Sequence, residues 1–228
     1  MRYTTALLAI GLASASHAQL STEEIGKRLQ PIPAFICTNA SGSPVTATPK
    51  TGKPLAGVFL DAGAADNFLK KIKASSPNIG NVKVTVVSMA EIYAAQNKAD
   101  TPIQFTLVPS DAAVQEAQAA LKANGKPAEF EGVPIFLAQV PGKGILNTTQ
   151  NGVTNIPVFF RKAEANKLLQ AYNKSRPKNS PAATLEVIQL EDTLTRLKTN
   201  NERELKQTVF VPDGNAVAAA RKRLPASK

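Results

Sequence analysis

The sequence predicts an α+β protein, with a mixed α/β label as the close alternative. It is read as two tandem, pseudo-symmetric ββαβαβα halves forming one body with apolar pockets. Three observations predict this. First, Gly57-Val58-Phe59-Leu60, followed by Ala65, Phe68, Leu69, Ile72, Ser75 and Pro77, recurs as Pro157-Val158-Phe159-Phe160, followed by Ala165, Leu168, Leu169, Tyr172, Ser175 and Pro177. Second, the flanks match in the same order. Ile32–Ile36 pairs with Val133–Leu137, Val84–Met89 with Leu185–Leu190, and Val108–Leu121 with Val211–Leu224. The offset drifts only between segments, as loop insertions in a duplicated chain would cause, and the long period excludes an array of short repeats. Third, each copy passes from a short apolar run to apolar residues at helical spacing and stops at a proline. A helical crossover after a strand calls for partly parallel pairing.

The elements follow in order. Ser21-Thr22-Glu23-Glu24 has the spacing of a capping box and opens a short helix through Ile25 and Leu29, ended before Pro31. Ile32–Cys37 is a strand. Thr38–Pro54, rich in Ser, Thr, Gly and Pro, is a loop or hairpin excursion. Leu55–Leu60 is a strand, Ala62–Ala74 a helix, Val82–Ser88 a strand and Ala90–Asn97 a short helix. Ile103–Val108 is a strand with Ile103, Phe105 and Leu107 on one face. Ser110 caps a helix that ends at Ala123. Asn124–Gly132 is the polar junction. The second half repeats the order with strands at Val133–Val140, Ile156–Phe160, Leu185–Leu190 and Gln207–Val211. Its helices fall at Lys162–Asn173, Asp192–Lys198 and Asn215–Leu224, and Pro141–Thr154 is turn-rich. The chain is therefore divided into a signal peptide at 1–18, a first half at 19–127 and a second half at 128–228.

Residues 1–18 carry one arginine, an apolar centre at Leu7, Leu8, Ile10 and Leu12, and small residues at Ser16 and Ala18. This is the plan of a secretory signal cleaved after Ala18. The apolar run is too short to cross about 30 Å of hydrocarbon as a helix, so the mature chain is expected in the periplasm.

Cleavage has a chemical consequence. His17 is the single histidine, Cys37 the single cysteine, and there is no tryptophan. A mature chain without histidine cannot build a Ser–His–Asp or Cys–His site, nor a His-ligated zinc site. No phosphate loop, dinucleotide fingerprint or metal run is present, so no cofactor or metal is expected. Cys37, inside an apolar run, reads as a small buried residue. The full-length net charge is +10, and loss of Arg2 leaves +9. Export and the scatter of the charges argue against nucleic acid. The basic surface suits acidic clients, weak contact with anionic membranes, or simple solubility. Asp61, Glu91 and Asp192 are the acids available to a carboxylate hydrolase, though each stands at a predicted helix start, where acids serve the helix N-terminus.

Of the nine phenylalanines, eight lie in or beside predicted strands or the main helix. Phe159 and Phe160 are adjacent, as are Phe59 and Leu60, so each of these strands is apolar on both faces. Either helices cover both faces, or one face lines a groove. On the second option Phe59, Leu60, Phe68, Phe159, Phe160 and Leu168 form two equivalent pockets.

The runs Leu29–Phe35, Gly57–Leu60, Val133–Phe136 and Ile156–Phe160 resemble the Tic-twenty-two family, soluble factors of chloroplast import with relatives in the cyanobacterial periplasm. The resemblance spans roughly Leu29 to Leu224. It implies a non-enzymatic, chaperone-like transport factor with hydrophobic pockets. Its partners would be unfolded or precursor proteins of the envelope and outer-membrane assembly or translocon machinery. The alternatives from the residues alone are the carboxylate hydrolase and a basic peripheral envelope scaffold.

Overall fold

The structure is a computed structural model that describes residues 19–224. Residues 1–18, read from the sequence as a signal peptide, lie outside the described residues. In chain order the elements are α1 (Thr22–Leu29), β1 (Pro33–Thr38), β2 (Leu55–Phe59), α2 (Ala62–Ser75), β3 (Lys83–Ser88), α3 (Met89–Gln96), β4 (Gln104–Val108) and α4 (Asp111–Ala123). Then come β5 (Pro134–Val140), β6 (Gly144–Ile145), β7 (Thr148–Gln150), β8 (Val153–Phe159), α5 (Lys162–Ser175), β9 (Thr184–Gln189), α6 (Leu190–Thr199), α7 (Arg203–Lys206), β10 (Thr208–Val211) and α8 (Gly214–Arg223).

Local chemistry sets these boundaries. Ser21 and Ser88 head complete capping boxes with Glu24 and Glu91. Asp61 caps α2 by accepting from the Ala64 amide at 2.7 Å. The expected strands and main helices are present within two or three residues. Three small elements are additional: β6, β7 and α7. β7 pairs with the start of β8 through Asn151 and Gly152, both at positive φ. Asn-Gly is the dipeptide that a two-residue hairpin turn requires, so that hairpin had a signal inside the turn-rich stretch.

The strands form two sheets of the same plan. In the first the order is β3-β1-β2-β4, with β2 and β4 parallel and the other pairs antiparallel. In the second, β9, β5, β8 and β10 follow with the same directions. Register matches as well: Phe35 faces Phe59 and Phe136 faces Phe159.

Each sheet is covered on both faces. Ala34, Ile36, Val58 and Leu60 of the first and Ile135, Leu137, Val158 and Phe160 of the second share one central core with Ile25, Leu29, Met89, Ile92, Leu190 and Leu197 of α1, α3 and α6. The opposite faces lie under helices, and these helices cross between halves. Phe35 and Phe59 pack under α2 and under Ala216 and Ala220 of α8. Phe136 and Phe159 pack under Ala165 of α5 and under Ala117, Ala120 and Leu121 of α4. The last helix of each sequence half therefore covers the sheet of the other. The alanines allow this close approach, since a small side chain lets the helix settle on a phenylalanine-bearing sheet.

Ion pairs pin both crossed helices. Glu116 of α4 takes two hydrogen bonds from Arg161, and Arg223 of α8 gives two to Asp66 of α2. Among the described residues no helix is long and apolar enough to cross a membrane.

Candidate functional site

Each of the six residues named as pocket candidates has a definite place. Phe59, Leu60, Phe159 and Phe160 are buried at 5–8% exposure and belong to the three cores. Helices cover both faces of these strands, so their side chains are committed to packing. Phe68 is exposed on α2 with its ring 5.0 Å from that of Phe59. Leu168 is half-buried on α5. Only Leu60 and Phe160 come together at a hollow. They line a cavity of about 20 Å³ with Ile32, Pro33, Val133 and Pro134, where the two halves meet. That is room for one water molecule and not for an apolar side chain.

The candidate acids are likewise placed one by one. Asp61 caps α2, Glu91 completes the capping box of α3, and Asp192 stands in the first turn of α6. Among the described residues no group of three or more His, Cys, Asp or Glu is arranged to hold a metal. The densest group of ion pairs among the described residues is Glu116, Arg161 and Asp213, at 2.6 and 3.4 Å between paired atoms. The Arg161 hydrogen bonds hold the Glu116 carboxyl below the usual carboxylate range. One guanidinium bridges two carboxylates whose oxygens are also taken by the Lys162 and Asn215 amides, so the cluster is a structural clamp.

The apolar surface lies elsewhere. β4 is one of the two edge strands of the first sheet. A groove of about 490 Å³ runs along it, floored by Met89 and Ile92 and walled by Tyr93, Phe105, Leu107 and Leu194. Phe105 also faces a second hollow of about 400 Å³, with Pro44, Ala99 and Ile103. Burial in this apolar surface raises the pKa of the Tyr93 hydroxyl above its ordinary value. Gly132, at φ +75°, closes one end. Any Cβ there would meet a Glu191 carboxylate oxygen at 2.8 Å, and that carboxylate accepts from the Val133 amide.

Sequence reasoning placed Phe105 and Leu107 on one face of a strand but did not mark them as a site. The alignment of the halves pairs them with a buried counterpart and carries no signal of their exposure. Leu107 and Phe210 hold equivalent registers, opposite Val58 and Val158. Phe210 is 2% exposed, whereas Leu107 is only partly buried. The difference is α1, whose Arg28 donates to the carbonyls of Leu205, Lys206 and Thr208 and seals the β10 edge.

These features define a class: an α+β protein of two like-ordered sheets, with crossed covering helices and open apolar grooves beside one sheet edge. The chain belongs to the Tic22-like family, whose model matches residues 4–223. Among solved structures it is similar to Tic22 of Anabaena, described as a protein of protein transport. The identity is 23%, with 92% of this chain and 100% of that one covered and a TM-score of 0.76. It is also similar to Tic22 of Plasmodium falciparum, at 22% identity, 87% and 96% coverage and a TM-score of 0.67. No curated protein matches it in sequence. At these identities the likeness to the two structures speaks for the fold.

Proposed function

We propose that this protein is a protein-transport factor that holds apolar segments of envelope precursors after its own export to the periplasm. The observation that carries the reading is the continuous apolar surface beside β4, where Phe105 joins two open hollows of about 490 and 400 Å³. Phe105, Leu107, Tyr93 and Leu194 are all partly buried, so an apolar ligand segment would remove further apolar area from water at about 25 cal/mol per Å². Two adjacent hollows on one body hold one unfolded chain more tightly than either would alone. The charged surface, +10 over the full chain and +9 after loss of Arg2, keeps the carrier dispersed between encounters. Residues 1–18 supply the export signal. Family membership and the transport role of the Anabaena protein support the same reading. Neither implies catalysis, and the precursors and assembly machinery of the envelope are its partners.

The experiment is suppression of aggregation of an unfolded outer-membrane barrel protein by the mature chain, wild type against Phe105→Glu. Wild-type protein is expected to delay aggregation at stoichiometric ratios, and the folded Phe105→Glu variant to lose most of that effect. A wild type without client binding would end the reading.

A further inference from the structure

The groove along β4 has a counterpart that is already filled. In the second sheet β10 holds the place that β4 holds in the first. α1 lies against β10, α3 and α6 and buries Ile25 and Leu29 completely. The groove along β4 is walled by β4, α3 and α6, the corresponding set with the halves exchanged. A helix equivalent to α1 would precede β5, but the chain there, Lys126–Gly132, is not helical.

We infer that this groove receives a short amphipathic helix of a partner polypeptide, built like α1: two apolar residues four apart, acids in the first turn and bases in the last. This rests on the proposed holding of apolar segments and names the conformation in which one of them is held.

Charge complementarity sets both sign and direction. α1 runs antiparallel to α3: the Met89 amide, at the start of α3, donates to Ile32 just past the end of α1. The corresponding contact at the groove is the Leu190 amide on Val133. The bound helix therefore runs antiparallel to α6. Glu191, at the start of α6, lines the groove where the basic last turn arrives. At the far end of α6, Lys198 Nζ donates to Asn97 Oδ1 at 3.0 Å on the rim. Among the described residues Lys198 makes no ion pair, and it meets the acidic first turn. α1 shows this charge plan itself, with Glu23 and Glu24 in its first turn and Lys27 and Arg28 in its last. Complementary ends favour one orientation of a bound helix, and apolar anchors spaced by a helical turn give the grip.

The probe is an acetylated and amidated peptide of residues 20–30, added to the isotope-labelled mature chain and followed through backbone amide shifts. Saturable shifts at Tyr93, Leu107 and Leu194 are expected. Leu194→Glu, with its fold verified by circular dichroism, should weaken them at least about tenfold. So should a control peptide carrying Ile25→Glu and Leu29→Glu. Absence of shifts, shifts confined to the seat of α1, or equal effects from the control peptide would overturn the inference. Concentration-dependent dimers dissolved by the peptide would overturn it too, since the occupant would then be a second copy. If the peptide fails while aggregation of the barrel protein is still suppressed in a Phe105-dependent way, the holding role stands and its helical form does not.

Discussion

Glu116 of the first half is chelated by Arg161 of the second, through Nη2 at 2.6 Å and Nε at 3.1 Å. The same carboxylate accepts from the Lys162 amide at 3.1 Å, so it also serves the start of α5. Arg161 stands at the N-cap position of α5 and makes no cap bond itself. A residue on the crossed helix does that work from outside. Replacing Glu116 by alanine removes three charge-assisted hydrogen bonds and leaves the Arg161 guanidinium short of a partner. The expected loss is about 2–4 kcal/mol, read from urea unfolding midpoints at neutral pH.

The same pair gives a pH dependence. Arg161 holds the Glu116 carboxyl below its ordinary value, so the unfolded chain binds that proton first as pH falls. The stabilisation is complete above the unfolded-state value, about 4.3, and is lost as pH drops through the lowered folded value. The stability gap between wild type and Glu116→Gln should therefore be widest near neutrality and narrow progressively below about pH 4. A gap that widens on acidification would contradict the assignment.

Phe160→Ser separates core from site. The side chain is 5% exposed and lies 6.3 Å from the Phe210 ring within the core shared by both sheets. A phenylalanine truncated in such a place costs about 3–5 kcal/mol. Thermal unfolding should show a large loss of stability, without selective loss of client binding in whatever protein remains folded. Phe68→Ser should be milder, near 1 kcal/mol, because that ring is already exposed and mainly touches Phe59.

Arg28 ties α1 to the end of the second sheet through three carbonyls, at 2.9, 3.1 and 2.7 Å. Arg28→Ala should loosen α1 while leaving the sheets in place. Hydrogen exchange should show faster opening of Ile25–Leu29 and Thr208–Val211, by roughly tenfold to a hundredfold. Uniform acceleration throughout the chain would mean that α1 has no separate stability.

The halves, expressed as 19–127 and 128–228, should each fail to fold alone. The first would lack α8 over Phe35 and Phe59, and the second would lack α4 over Phe136 and Phe159. Co-expression should restore a soluble complex. A folded, monomeric 19–127 fragment would show that the crossed helices are dispensable. Superposition of 32–121 on 133–224 should relate the halves by a pseudo-twofold rotation.

Much of this was legible in the residues. Alternation and helical spacing are local signals, and the adjacent apolar pairs marked strands apolar on both faces without telling a covering helix from a groove. The serine and aspartate caps stood where the helices begin, because a side chain that bonds an amide two or three residues on carries its meaning within one turn. The matched order of segments foretold one order of strands and helices in the two halves, and the structure places their strands in two sheets.

Which helix covers which sheet was not legible. Ala117 and Ala120 are compatible with packing on either half, since apolar burial is non-directional and rewards any partner of the right shape. The crossing of α4 and α8 is pinned by pairs such as Glu116–Arg161, whose members lie 45 residues apart in the chain. That crossing commits Phe59, Leu60, Phe159 and Phe160 to the core. The open surface falls instead at Phe105, Leu107 and Leu194. No local pattern separates them from Phe210, which is buried in a core that α1, from the far end of the chain, helps to close. The sequence by itself determined the elements, their caps and their repeated order; tertiary structure alone decided core against surface, because exposure depends on what the rest of the chain lays over a residue.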